Sequence, residues 1–203
     1  MLRALIFFVA VFLPVLGFAT ESEAHKTLAD RLQHLQSFSG KFSQRQYDDA
    51  DQLLQRQSGS FAIVAPGKIR WETTDPMAQL LISDGQNYWL YDPDLEQVTV
   101  SQVTKNAQQT PAVLFSGDAE SLKQRYRVEQ TAVDQFSLHS LAESEIFNQI
   151  DLSFAEIGIA SMVMWDRLGQ RTEFSFEDVL TNEKIDEAIF SFVPPEHVDI
   201  IYQ

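Results

Sequence analysis

Residues Gln79–Val100 read QLLISDGQNYWLYDPDLEQVTV. Three short runs rich in Leu, Ile, Val, Tyr and Trp (QLLIS, NYWLY and QVTVS) are separated first by Asp84-Gly85 and then by Asp92-Pro93-Asp94. Asp-Gly between two such runs is a strong hairpin signal: Gly takes positive φ at no steric cost, and Asp bonds its own backbone two residues on. The Pro flanked by aspartates ends the second run and turns the chain again. Strands so closely spaced leave no room for crossover helices, so they pair as an antiparallel meander.

The same grammar extends outward. Upstream, SGSFAIV and KIRWE flank Ala65-Pro66-Gly67-Lys68, where Pro followed by Gly suits a type II turn. Further back, residues 21–37 place Ala24, Leu28, Leu32 and Leu35 at helical spacing with charges between them. That predicts one amphipathic helix stopped by Ser39-Gly40, and from about Phe42 the period becomes 2. Downstream, Pro111–Gly117 reads as a short helix, with Pro in its first turn and Gly past its end. Residues 118–125 add another helical piece. A second run of strands follows in YRVE, QFSLH, QIDLSF, IASMVMW and, after the Asp166–Gly169 turn, RTEFSFEDV. A helical turn around Ile185–Ala188 precedes FSFV and the Pro194-Pro195 stop. The class is α+β: a large antiparallel sheet with a few helices covering one face. No linker, repeat or charge block divides the chain.

Composition bounds what such a chain does. Its 203 residues carry 15 Lys plus Arg against 29 Asp plus Glu, a net charge of −14, which leaves no basic face for nucleic acid and disfavours an anionic membrane surface. There is no cysteine, which excludes disulfides, thiolate metal sites and a Cys nucleophile. Residues 1–19 are a different polymer: Arg3, an apolar run from Ala4 to Leu13, Pro14, then Gly17-Phe18-Ala19. This is the pattern of a secretory signal peptide cut after Ala19. The run is too short for a span, and no Cys follows that could take a lipid. The expected mature domain is 20–203, soluble, monomeric and exported.

Catalytic signals are absent. Neither G-x-S-x-G, a phosphate-binding loop, G-x-G-x-x-G nor H-E-x-x-H occurs. The four histidines sit apart in polar company, and Asp92, Asp94 and Glu96 are explained by turn chemistry without Ca²⁺. Asp151, Glu156, Asp166 and Glu173 are indistinguishable from solvated strand-face charges. No enzyme, metal or cofactor is implied. The abundant sheet aromatics fit two readings, an ordinary core or a curved sheet closing on an apolar ligand, and periodicity alone does not choose between them.

PGKIRWE at Pro66–Glu72, the Gln79–Val100 block, TPAVLFSG at Thr110–Gly117, and FSFVPP with Val198-Asp199 together resemble the outer-membrane lipoprotein carrier proteins of Gram-negative bacteria, the LolA family. The resemblance implies an incomplete, half-open antiparallel β-barrel with a helical lid over an apolar cavity. It also implies a periplasmic shuttle for acylated lipoproteins, loaded by an inner-membrane ABC-type release complex and emptied at an outer-membrane receptor. On that basis the lid underside is Leu28, Leu32 and Leu35 with Val113, Leu114 and Phe115. Ile69 and Trp71, two apart on one strand, face the cavity. On the next strands Leu80, Leu81 and Ile82 are all apolar, so the face is open; Leu80, Ile82 and Leu90 are the expected lining. Lys68 and Arg70, cations in an acidic chain, are the expected partner-docking residues. Many relatives carry a basic residue just before the turn proline; here it is Ala65. The alternatives are a general periplasmic chaperone and an envelope-lipid hydrolase, the latter lacking any nucleophile motif.

Overall fold

The computed structural model describes residues 21–102 and 119–203; the expected signal peptide and the Pro111–Gly117 helix lie outside them. A 14-residue helix, α1 (Glu21–His34), is followed by six strands, β1 (Ser37–Tyr47), β2 (Leu53–Val64), β3 (Lys68–Asp75), β4 (Gln79–Asp84), β5 (Asn87–Asp92) and β6 (Gln97–Gln102). A second helix, α2 (Ala119–Arg125), leads into β7 (Tyr126–Ala132), β8 (Gln135–Ser140), β9 (Phe147–Ala155), β10 (Gly158–Asp166) and β11 (Arg171–Thr181). A 3-10 turn at Glu187–Phe190 and β12 (Asp199–Tyr202) complete the described chain. The strands form one sheet in the order β12-β6-β5-β4-β3-β2-β1-β11-β10-β9-β8-β7. Every neighbouring pair is antiparallel except β12, which lies parallel to β6. Its two ends do not pair with each other, so the sheet is open.

Register assigns the faces. Phe38 pairs with Ile63, Ile63 with Ile69, Phe61 with Trp71 and Trp71 with Leu81. In the other direction Phe42 pairs with Phe176, Met162 with Phe174, Leu152 with Met162, Phe136 with Leu152 and Val128 with Leu138. Paired residues share a face, so these side chains make one continuous inner surface. Ala24, Leu28 and Leu32 join the same hydrophobic cluster, because α1 packs on β7 and α2 at one wing of the sheet. The ring of His25 meets the Tyr126 carbonyl at 2.8 Å.

The expected boundary between the helix and the first strand changes. The helix ends at His34, and β1 already begins at Ser37, because Phe38 is needed in the core, where it is almost fully buried. Ser39-Gly40 is therefore no helix stop. It marks a register shift between β1 and β11 at which a Cβ on Gly40 would lie 2.7 Å from the Glu177 carbonyl oxygen. FSFV begins at the end of the 3-10 turn and continues without pairing as a strand. Phe190 closes the 3-10 turn, which packs on β3 and β4, and the Phe192 ring lies 5.9 Å from that of Tyr91 and 6.4 Å from that of Trp89. Those two rings stand on the outer face, so the segment wraps the back of the sheet. The Ala65–Lys68 turn has Gly67 at φ +75°, as its position requires, and its Ala65–Pro66 peptide is cis.

Candidate functional site

Between the β2–β4 part of the inner face and the β10–β11 part lies a cavity of about 330 Å³. Its apolar wall includes Ile63, Ile69, Trp71, Leu81, Met164 and Phe174. Behind this wall, aromatic rings stack into a continuous floor. Phe42 lies 4.2 Å from Trp71, Trp71 5.6 Å from Phe61 and 5.7 Å from Phe174, and Phe61 5.2 Å from Phe176. Offset and edge-on ring pairs of this kind add to the stabilisation from burying apolar surface. At a register shift between β2 and β3, Gly59 permits a close approach of the two strands: a Cβ there would sit 1.9 Å from the Glu72 carbonyl oxygen on β3.

Along the strands the inner face changes character. On β1 it runs Phe38, Phe42, Gln44, Gln46; on β2, Ile63, Phe61, Gly59, Gln57; on β4, Ser83, Leu81, Gln79. The cavity thus has an aromatic end and an amide end. At the latter, Gln46 donates through Nε2 to Gln170 Oε1 at 3.2 Å. Ile146, Phe147 and the hairpin residues Asp166 and Gln170 bound it there. Asp166 is occupied by its own turn, accepting from the backbone of Leu168 and Gln170.

The structure distributes the expected residues unevenly. Ile69 and Trp71 line the cavity. Leu80 and Ile82 do not. They pair with Glu72 and Arg70 on the opposite face, and Ile82 is buried beside the 3-10 segment that covers it. The residue pointing inward is Leu81, and Leu90, its cross-strand partner, shares that face without touching the cavity. Leu28 and Leu32 are packed into the core of the helical wing rather than exposed to a void, and Leu35 edges a separate shallow hollow with Arg31, Phe154 and Gly158. Val113, Leu114 and Phe115 lie outside the described residues.

Lys68 and Arg70 are not free cations. Lys68 Nζ bonds Glu187 Oε2 at 2.9 Å, and Arg70 bonds Glu72 Oε2 at 3.0 Å and reaches the Ile189 carbonyl at 3.5 Å. They tie β3 to the C-terminal segment. Ala65 donates its backbone N–H to the Gln36 carbonyl.

Reading single strands missed Leu81, Tyr88, Met164, Phe174 and the glutamines. For Phe174 and Gln44 a signal was present, strict alternation in FSQRQ and EFSF; for Leu81 there was none, since its neighbours are apolar too.

The remaining chemistry is structural. Among the described residues no group of three or more His, Asp or Glu is placed to hold a metal. On the outer face Ser137 Oγ donates to Asp151 Oδ1 at 2.7 Å and lies 3.2 Å from His139 Nε2. The carboxylate holds the hydroxyl itself and does not orient the imidazole, which is the reverse of a nucleophile–base–orienter chain. At the helical wing, Arg125 forms a two-pronged pair with the buried Glu145, Nε to Oε1 at 2.9 Å and Nη2 to Oε2 at 2.6 Å. Those bonds push the guanidinium further above its ordinary range, and burial, with Glu145 next to it, pushes the Tyr126 hydroxyl up.

A sequence profile for the outer membrane lipoprotein carrier protein LolA matches residues 33–193. The chain belongs to the LolA family. It is 38% identical to the outer-membrane lipoprotein carrier protein of Pseudomonas aeruginosa PAO1 over 191 residues, 93% of this chain and 92% of that one. The protein of the same name from Legionella pneumophila strain Paris is 35% identical over 181 residues, covering 88% and 89%. Among solved structures, a LolA superfamily protein from Nitrosomonas europaea aligns with TM-score 0.52 at 11% identity, over 83% of this chain and 98% of that one. An uncharacterised conserved protein from Thermus thermophilus aligns at 0.53 and 10%, over 88% and 98%. These two likenesses concern the fold alone. The sheet is open, as the resemblance implies. The helix α1 closes the β7 end of the sheet as core, and the cavity lies between the β2–β4 and β10–β11 parts of the inner face.

Proposed function

We propose that the protein is a periplasmic carrier that holds the acyl chains of lipoproteins against the aromatic inner face and moves them between the two membranes. The observation that carries this reading is the cavity wall of Trp71, Leu81, Met164 and Phe174 on a sheet with two free ends, in a chain with LolA-family carriers as relatives over nine-tenths of its length. An acyl chain of about 14 methylenes costs on the order of 11 kcal/mol to expose to water, at ~0.8 kcal/mol per CH2. A multiply acylated protein therefore needs an apolar sheath in an aqueous compartment. The sheath need not be chemically selective for chains, because desolvation and dispersion have no direction.

In this reading residues 1–19 direct export and are removed, and the mature monomer starts at Thr20. Loading comes from an inner-membrane ABC-type release complex, and delivery goes to an outer-membrane receptor. Leu35, Val113, Leu114 and Phe115 are assigned to the cargo-binding surface. Lys68 and Arg70 present local positive charge to a partner, which must compete with Glu187 and Glu72 for them. The test incubates the purified mature protein with lipoprotein-loaded inner-membrane vesicles and the release complex. Lipoprotein is expected in the soluble fraction in a stoichiometric complex, and no release at any carrier concentration overturns the reading. Lys68→Glu with Arg70→Glu is expected to slow uptake or onward transfer while circular dichroism stays unchanged; wild-type rates for both steps in low salt remove the docking role.

A further inference from the structure

The amide end of the cavity is unusual for a container of hydrocarbon. Gln44, Gln57 and Gln79 line it, facing one another across β1, β2 and the neighbouring β3–β4 pair, where Gln44 pairs with Gln57 and Gln79 with Thr73. Among the described residues no hydrogen bond engages the side chains of these three glutamines, whereas Gln46 and Gln170 are bonded to each other. Each primary amide carries two donors and one acceptor oxygen. Among the described residues no Lys, Arg or His lines the cavity, and the one carboxylate, Asp166, is committed to its own hairpin.

A belt of neutral donors and acceptors at the end of an apolar pocket matches one kind of molecule: hydrocarbon chains joined by neutral ester and amide groups to a peptide. A phosphate would find no cation there, and would be desolvated beside Asp166. Ester and amide carbonyls drawn in with the chains cost free energy unless they find donors, and the glutamines stand where these groups would arrive. We propose that Gln44, Gln57 and Gln79 form the subsite for the linkage groups and first peptide units of an acylated N-terminal cysteine. The acyl chains then run toward Trp71 and Phe174, and the belt selects lipopeptides over phospholipids. This rests on the carrier reading and specifies which part of the cargo the cavity recognises.

The experiment compares the mature wild type with Gln44→Leu/Gln57→Leu/Gln79→Leu and with the single variant Gln57→Met, which is half-buried at a strand position and retains side-chain length. Three probes are titrated: N-phenyl-1-naphthylamine, a triacylated Cys-Ser-Gly-Ala peptide amide, and dipalmitoyl phosphatidylglycerol. The triple variant is expected to keep its affinity for the naphthylamine within about twofold and to lose about ten- to a hundredfold for the lipopeptide. Gln57→Met is expected to lose a few-fold, and wild type to prefer lipopeptide over phosphatidylglycerol. Lipopeptide binding unchanged in Gln57→Met and in a folded triple variant overturns the subsite, as does equal wild-type affinity for phosphatidylglycerol; both leave the carrier reading standing. If wild type binds the naphthylamine but no lipopeptide, the carrier reading falls and the subsite with it.

Discussion

The wing β7–β9 and the wing β2–β5 send the same alternation of apolar side chains to the inner face, yet they are finished on opposite sides. At β7–β9 the inner residues Val128, Leu138, Ile150 and Leu152 are sealed, with Ala24, Leu28 and Leu32 of α1 in the same cluster. At β2–β5 the inner residues Trp71 and Leu81 stay half-buried along the cavity, while the outer face is covered by the 3-10 turn and Phe192. The lesson is that an apolar strand face is neutral between core and container; what decides is where the covering segment lands. The helical wing spends its apolar surface on stability. The other wing keeps part of its surface available and is held from behind.

If that contrast is right, substitutions divide by wing. The largest loss is expected for Arg125→Met, which leaves the Glu145 carboxylate buried without its partner and costs about 3–5 kcal/mol in urea unfolding. Leu28→Ala, at a fully buried site, is expected to cost about 3 kcal/mol with little effect on an apolar probe. Leu81→Ala should reverse that profile, with about 1 kcal/mol of stability lost and probe affinity lowered several-fold, since its side chain borders space already open. Equal stability losses for Leu28→Ala and Leu81→Ala would erase the distinction between the wings.

The smallest effect sharpens the picture on the covered wing. Asp84 is opposed by burial, yet the backbone N–H groups of Gln86 and Asn87, both 2.7 Å from Oδ1, hold its carboxyl below its usual range. A depressed carboxyl stabilises the folded state above its unfolded pKa and stops doing so as pH falls through the folded value. Asp84→Ala is therefore expected to cost about 1 kcal/mol or less at neutral pH, and the gap from wild type should close below about pH 4. A gap that persists unchanged into strong acid would assign the effect to the lost side chain rather than to its charge.

Much of this architecture could be read before any coordinates. Asp84-Gly85 and Pro66-Gly67 fall at hairpins where turn chemistry placed them, and the strand runs on either side of 103–118 are present in sequence order. Turn residues act locally, through φ preferences and side-chain bonds to the adjacent backbone, so their meaning survives without tertiary context. Gly40 was misread for the opposite reason. A glycine demanded by the approach of another strand looks, in sequence, like a glycine that ends a helix.

The sequence by itself determined the antiparallel meanders, the α+β class, the acidic cysteine-free surface and the family. All of these depend on local propensity, on composition, or on motifs carried within single stretches. Which of Leu80, Leu81 and Ile82 faces the cavity, whether the α1 stripe is core or cover, and whether Lys68 and Arg70 are free were decided only in three dimensions. A run of three apolar residues has no preferred face until its register with Glu72, Trp71 and Arg70 is set. An apolar stripe or a surface cation, likewise, takes its role from whichever segment, far away in the chain, comes to lie against it.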